Sequence, residues 1–149
     1  MEKKIDLRRV FDAPRHRVFE AWTRAGQLSR WFGPKGFSVH SAEVDPRPGG
    51  VFRLCMRSPE GKDHWVRGSY REVVPNERLV IFCTADDDKG VQRLEELINV
   101  SFAERAGKTT LTLHAVASGP SVEAAAMLKG MKQGWSETVH RLDAHLKEV

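Results

Sequence analysis

The chain has 149 residues, 40% of them hydrophobic and 30% charged, with a net charge of +4 from 24 basic and 20 acidic side chains. That length suits one domain over residues 1–149 with a sizeable core, and the composition excludes a disordered chain. The basic excess is mild and dispersed, because Asp6, Asp12 and Glu20 interrupt the densest run of Arg8, Arg9, Arg15 and Arg17, so no nucleic-acid partner is expected.

The opening residues, MEKKIDLRRVF, lack the apolar stretch of a signal peptide and read as a strand carrying Ile5, Leu7, Val10 and Phe11. No apolar run approaches the ~18 residues that cross a bilayer, so no membrane partner and a cytoplasmic location are expected. The strand stops at Asp12-Ala13-Pro14, where Asp12 or Ala13 is expected to cap a helix. Val18, Phe19, Ala21 and Trp22 follow at helical spacing. After Gly26, Leu28, Trp31 and Phe32 form a second short helix, ended by Gly33-Pro34.

The period then changes to two. Phe37, Val39 and Val44 lie in one strand, and Pro46, Pro48, Gly49 and Gly50 mark a turn with no phosphate-loop lysine after it. Phe52, Leu54 and Met56 alternate with Arg53, Cys55 and Arg57, which marks a half-buried antiparallel strand. Further strands are expected at 65–74, 79–84, 97–102 and 109–116. Between the second and third of these, Asp86-Asp87-Asp88-Lys89 reads as a solvated loop tip rather than a cation site. Cys55 and Cys83 fall on strands that a third strand separates, beyond disulfide reach, so free thiols are expected.

From Val122 to Leu146 one continuous amphipathic helix is expected, with Met127, Met131, Trp135, Thr138, Leu142 and Leu146 on one face. Gly130 and Gly134 each cost a helix about 1 kcal/mol relative to alanine. A bulky side chain, Trp31 or Trp65, is the favoured reason for their bareness, and a ligand the alternative. The order of elements predicts an α+β fold: a curved antiparallel sheet wrapped around a long C-terminal helix, with two short helices after the first strand. A sheet gripping one helix leaves a cavity between them.

Several motifs recur in this order: Ala13-Pro14, Trp31-Phe32-Gly33-Pro34, Asp45-x-Arg47-x-Gly49-Gly50, Gly68-x-Tyr70, Pro75-x-Glu77-Arg78-Leu79 and Gly134-Trp135. The ordered set resembles the helix-grip fold of the START-like (SRPBCC) superfamily, and within it the family named for the C-terminal domain of the activator of Hsp90 ATPase. The resemblance implies an internal cavity for a lipid, hormone, polyketide or other apolar molecule, and in a few relatives cyclase or hydrolase chemistry. The eukaryotic activators carry a further N-terminal domain.

No catalytic residue, metal ligand or cofactor emerges from the spacing. His16, His40, His64, His114, His140 and His145 show no metal-ligand pattern, and no serine sits in a nucleophile elbow. The expected pocket lining is Trp31, Phe32, Phe52, Leu54, Met56, Met127, Met131 and Trp135, with Tyr70 and Asn99 as polar anchors. For Trp31 and Phe32, core packing is favoured over an aromatic lip. Binding of a small apolar or amphipathic molecule ranks first. A cyclase or hydrolase ranks second and a chaperone-associated role third, with a homodimer left open.

Overall fold

From Ser38 to Ser118 the chain runs back and forth as six successive hairpin-linked strands, because each apolar alternation ends in a turn sequence. The computed structural model describes residues 1–148. The strands are β1 (Glu2–Phe11), β2 (Ser38–Val44), β3 (Val51–Arg57), β4 (Asp63–Val74), β5 (Arg78–Asp86), β6 (Gln92–Arg105) and β7 (Lys108–Ser118). The helices are α1 (Arg15–Thr23), α2 (Ala25–Trp31), α3 (Val122–Lys129) and α4 (Met131–Glu148). One seven-stranded sheet has the order β1-β7-β6-β5-β4-β3-β2, antiparallel throughout. The first strand thus pairs with the last, and α1 and α2 carry the chain to the opposite edge.

The inner face of the sheet is packed along one half. Tyr70, Ile81, Ile98, Ala115 and Ile5 stand side by side in a cross-strand row and are all buried. Each such aliphatic side chain removed from water contributes about 1.5–3 kcal/mol. Trp135, Val139, Leu142 and Leu146 of α4 close over this half together with α1 and α2. Trp22 links the layers: its ring meets Trp31 edge-on at 4.9 Å and stacks on Trp135 at 6.3 Å.

Two local expectations are corrected. Neither Asp12 nor Ala13 caps α1: Pro14 holds the N-cap position, and the Arg15 N–H donates to Glu104 Oε1 of β6 at 2.8 Å. The cap is tertiary, so no local sequence signal marks it. The C-terminal segment is two helices rather than one unbroken helix. Gly130, at φ −92° and ψ −2°, interrupts it, and its N–H turns back to Met127 O at 3.3 Å in a tighter turn. The cysteines are free as expected. Beyond the intervening β4, they also occupy opposite faces: Cys55 pairs with the outward Trp65, and Cys83 with the inward Gly68.

Candidate functional site: a cavity beneath the helix break

The packed row of the sheet is followed by a row of smaller side chains. Gly68 of β4, Cys83 of β5, Glu96 of β6 and Ala117 of β7 are register partners across the inner face. Glycine is required at 68 because β4 and β5 approach there: a Cβ would run into the Phe82 carbonyl and Cys83. At Ala117 the layers meet, since it packs with Ala124 and Leu128 of α3, but over Cys83 and Glu96, where the helical cover is broken at Gly130, they do not. They enclose a cavity of about 330 Å³. Met127, Met131 and Trp135 form its helical wall, Val66, Cys83, Ala85, Leu94 and Ile98 its sheet wall, and Phe32, Phe37 and Met56 one side.

The segment after α2 borders the opening and is fastened to α4. Arg141 Nη1 donates to the carbonyls of Gly33 and Pro34 at 3.0 and 3.1 Å. Burial holds the Arg141 guanidinium below its usual pKa, while Nη1 is engaged by the carbonyls.

Glu96 is the charged centre of the wall. Its Oε2 accepts a hydrogen bond from Trp135 Nε1 at 2.8 Å. Burial under α4 pushes its carboxyl from the ordinary 4.5 up to about 7, against the smaller, opposite effect of the indole N–H. Among the described residues no other hydrogen-bond donor and no cation reaches it. Burial, and after it the neighbouring Glu96, raise the Cys83 thiol well above its usual range, which keeps it from the reactive thiolate form.

At the other end of the cavity Asp86 is 3% exposed and paired with Arg67, and His64 Nδ1 lies 3.3 Å from the Asp86 carbonyl oxygen. The aspartate run is therefore not a uniform solvated tip. Asp86 ends β5 with its carboxylate buried against Arg67, while Asp87 accepts the N–H groups of Val91 and Lys89 and an Arg93 contact, which lower its pKa to about 2. Asp88 pairs with Lys62. Each carboxylate in the run thus has its own protein partner. No three His, Cys, Asp or Glu side chains converge as a metal site among the described residues.

The ten residues singled out from the sequence divide into three groups. Phe32, Met56, Met127, Met131 and Trp135 are brought together around the cavity. Trp31, Phe52, Leu54 and Tyr70 lie in the packed core beside it, with Trp31 Nε1 donating to Ala21 O at 3.0 Å and the buried Tyr70 hydroxyl left without a partner. Asn99 stands on the outer face, where its Oδ1 accepts from Arg78 at 3.3 Å; inner and outer residues alternate along β6, and Ile98 and Val100 take the inner face. No sheet side chain presses on the helix glycines. A Cβ on Gly130 would meet nothing within 4 Å, and on Gly134 only Pro34 Cγ at 3.8 Å. Trp31 is instead held between α1 and α2, and Trp65 lies on the outer face between the guanidinium groups of Arg53 and Arg67, each 5.2 Å away. Sequence reading missed Glu96, although a signal was present: it is the one charged residue in the inward alternation Leu94, Glu96, Ile98, Val100, Phe102.

A seven-stranded antiparallel sheet gripping C-terminal helices over a hollow defines the START-like helix-grip class. The family described as "Activator of Hsp90 ATPase homolog 1-like protein" matches residues 12–147, and the chain belongs to that family. Among solved structures, a protein of Nitrosomonas europaea is 25% identical with a TM-score of 0.81, covering 98% of this chain and 95% of its own. A protein of Chromobacterium violaceum is 27% identical with a TM-score of 0.80, covering 97% and 96%. The AHSA1 protein of Silicibacter pomeroyi, at 22% identity and a TM-score of 0.79 over 97% and 98%, shares the fold. No curated protein matches the chain.

Proposed function

We propose that this chain is a one-domain binding module that takes a small apolar or amphipathic molecule into the cavity between its sheet and its C-terminal helices. The observation that carries this reading is the cavity itself: about 330 Å³ of space, walled mainly by methionine, aromatic and aliphatic side chains, with Glu96 set into the wall. Pockets for small molecules typically span about 300–1,000 Å³ and pair an apolar wall with a few polar groups that orient the ligand. Close packing is the rule in protein interiors, so a hollow between two well-formed layers calls for an occupant. Met127 and Met131 suit such a wall, because an unbranched thioether adapts to the shape it meets. Membership of a START-like family supports a cavity-binding domain in general terms.

Native mass spectrometry of the protein purified from its own host tests this reading. A co-purified small molecule, lost on unfolding, is expected. A chain that purifies empty and takes up no member of a panel of apolar probes would contradict it.

A further inference from the structure

We propose that the occupant is an apolar amine, its ammonium group held by the Glu96 carboxylate and its hydrocarbon body lying against Met127, Met131 and Trp135. The inference rests on the cavity-binding reading above and adds the charge of the ligand. Glu96 faces the hollow with a single protein partner, the Trp135 indole N–H.

Its surroundings supply no counter-charge. On its own strand the inward neighbours are Leu94 and Ile98. On β5 it faces Cys83 and on β7 Ala117. Lys3 of β1 shares the row beyond Ala117, but two strand spacings, about 9.6 Å, separate it from Glu96, and the two form no ion pair. The other carboxylate on the cavity wall, Asp86, already has Arg67. The wall's one ionisable base among the described residues, His64, lies at the Asp86 end, 3.3 Å from the Asp86 carbonyl oxygen, and no ion pair joins it to Glu96.

A carboxylate taken out of water is costly unless it is paired. An ammonium on the ligand completes the pair with a charge-assisted hydrogen bond, the strong kind at low local dielectric. A ligand carboxylate or phosphate would meet Glu96 as a like charge.

The test uses the full chain and two probes that differ only in the head group, naphthylmethylamine and naphthylmethanol, titrated calorimetrically into the wild type and Glu96→Gln. At about pH 8 the wild type is expected to bind the amine on the order of tenfold or more tighter than the alcohol. That margin shrinks towards pH 6, as Glu96, with its pKa at about 7, takes up a proton. Glu96→Gln loses the preference for the amine over the alcohol, at about pH 8 as at about pH 6. The pH arm needs no variant, so it decides the matter even where Glu96→Gln folds poorly. Equal binding of the two probes by the wild type at about pH 8, or a preference that survives in Glu96→Gln, overturns the amine assignment and leaves the cavity reading standing. Failure of the wild type to bind either probe overturns both.

Discussion

At the scale of single residues, a half-buried carboxyl and a buried hydroxyl set testable limits on stability. Glu96 is the first. In the unfolded chain its carboxyl titrates near the ordinary 4.5, and in the folded protein at about 7. Below the lower value both states are protonated and the folded state bears no penalty. As pH rises towards 7 the unfolded chain releases its proton first, so stability falls, and the loss is complete above about 7. At about 1.4 kcal/mol per pKa unit the loss is on the order of 3 kcal/mol. Glu96→Gln, which still accepts the Trp135 N–H, should lack this slope. Denaturant midpoints of the two proteins should therefore diverge between pH 4.5 and 7, with the variant becoming the more stable. Parallel curves would show that Glu96 ionises freely in the folded state. Tyr70 is the second. Its hydroxyl is buried without a hydrogen bond, and burial pushes its pKa up. Tyr70→Phe removes an unsatisfied group of that kind, so stability should hold or rise by up to about 1–2 kcal/mol. A loss of more than about 1 kcal/mol would reveal a hydrogen bond to that hydroxyl. At this scale the sequence was partly legible. Met127, Met131 and Trp135 were placed by helical spacing, whereas Asn99 was misread because its inward or outward direction depends on strand phase, which one residue of shift reverses.

At the scale of elements, strands were read more surely than helix ends. Alternation along Phe52, Leu54 and Met56 reflects burial on one face, a local property that survives in the sequence. The start of α1 depends on Glu104, almost ninety positions away in the chain, and so left no local trace. The glycine pair was visible but the break at Gly130 was not, because a helix glycine pressed by a neighbour and one bordering open space look alike in sequence. The structure separates them, and substitution tests the distinction. A Cβ at Gly130 meets nothing within 4 Å, and its backbone lies in the right-handed helical region. Gly130→Ala should therefore stabilise the protein by about 0.4–1 kcal/mol, read as a raised denaturant midpoint, because it restricts the unfolded chain without strain in the folded one. Destabilisation would mean that the break between α3 and α4 needs the glycine.

At the scale of the whole molecule, the fold was legible because the order of strands and helices leaves few ways to cover the sheet. Hairpin-linked strands must be antiparallel, and only the C-terminal segment is long enough to lie across them. The location of the hollow was not legible. It opens over Cys83 and Glu96, register partners on β5 and β6, and that register is fixed only when the sheet forms. The same sheet is solid at the Tyr70–Ile81–Ile98 row and hollow at the next, where Cys83 and Glu96 face the cavity.

Met131→Trp measures this most directly, since Met131 borders the cavity from α4. If the space is free, the larger ring enters it. The denaturant midpoint should then shift by less than the equivalent of about 1 kcal/mol, while calorimetric binding of naphthylmethanol, present in the wild type, is lost. A destabilisation of about 1–3 kcal/mol, the cost of overpacking a filled core, in a protein whose wild type takes up no probe, would contradict the cavity and the function built on it.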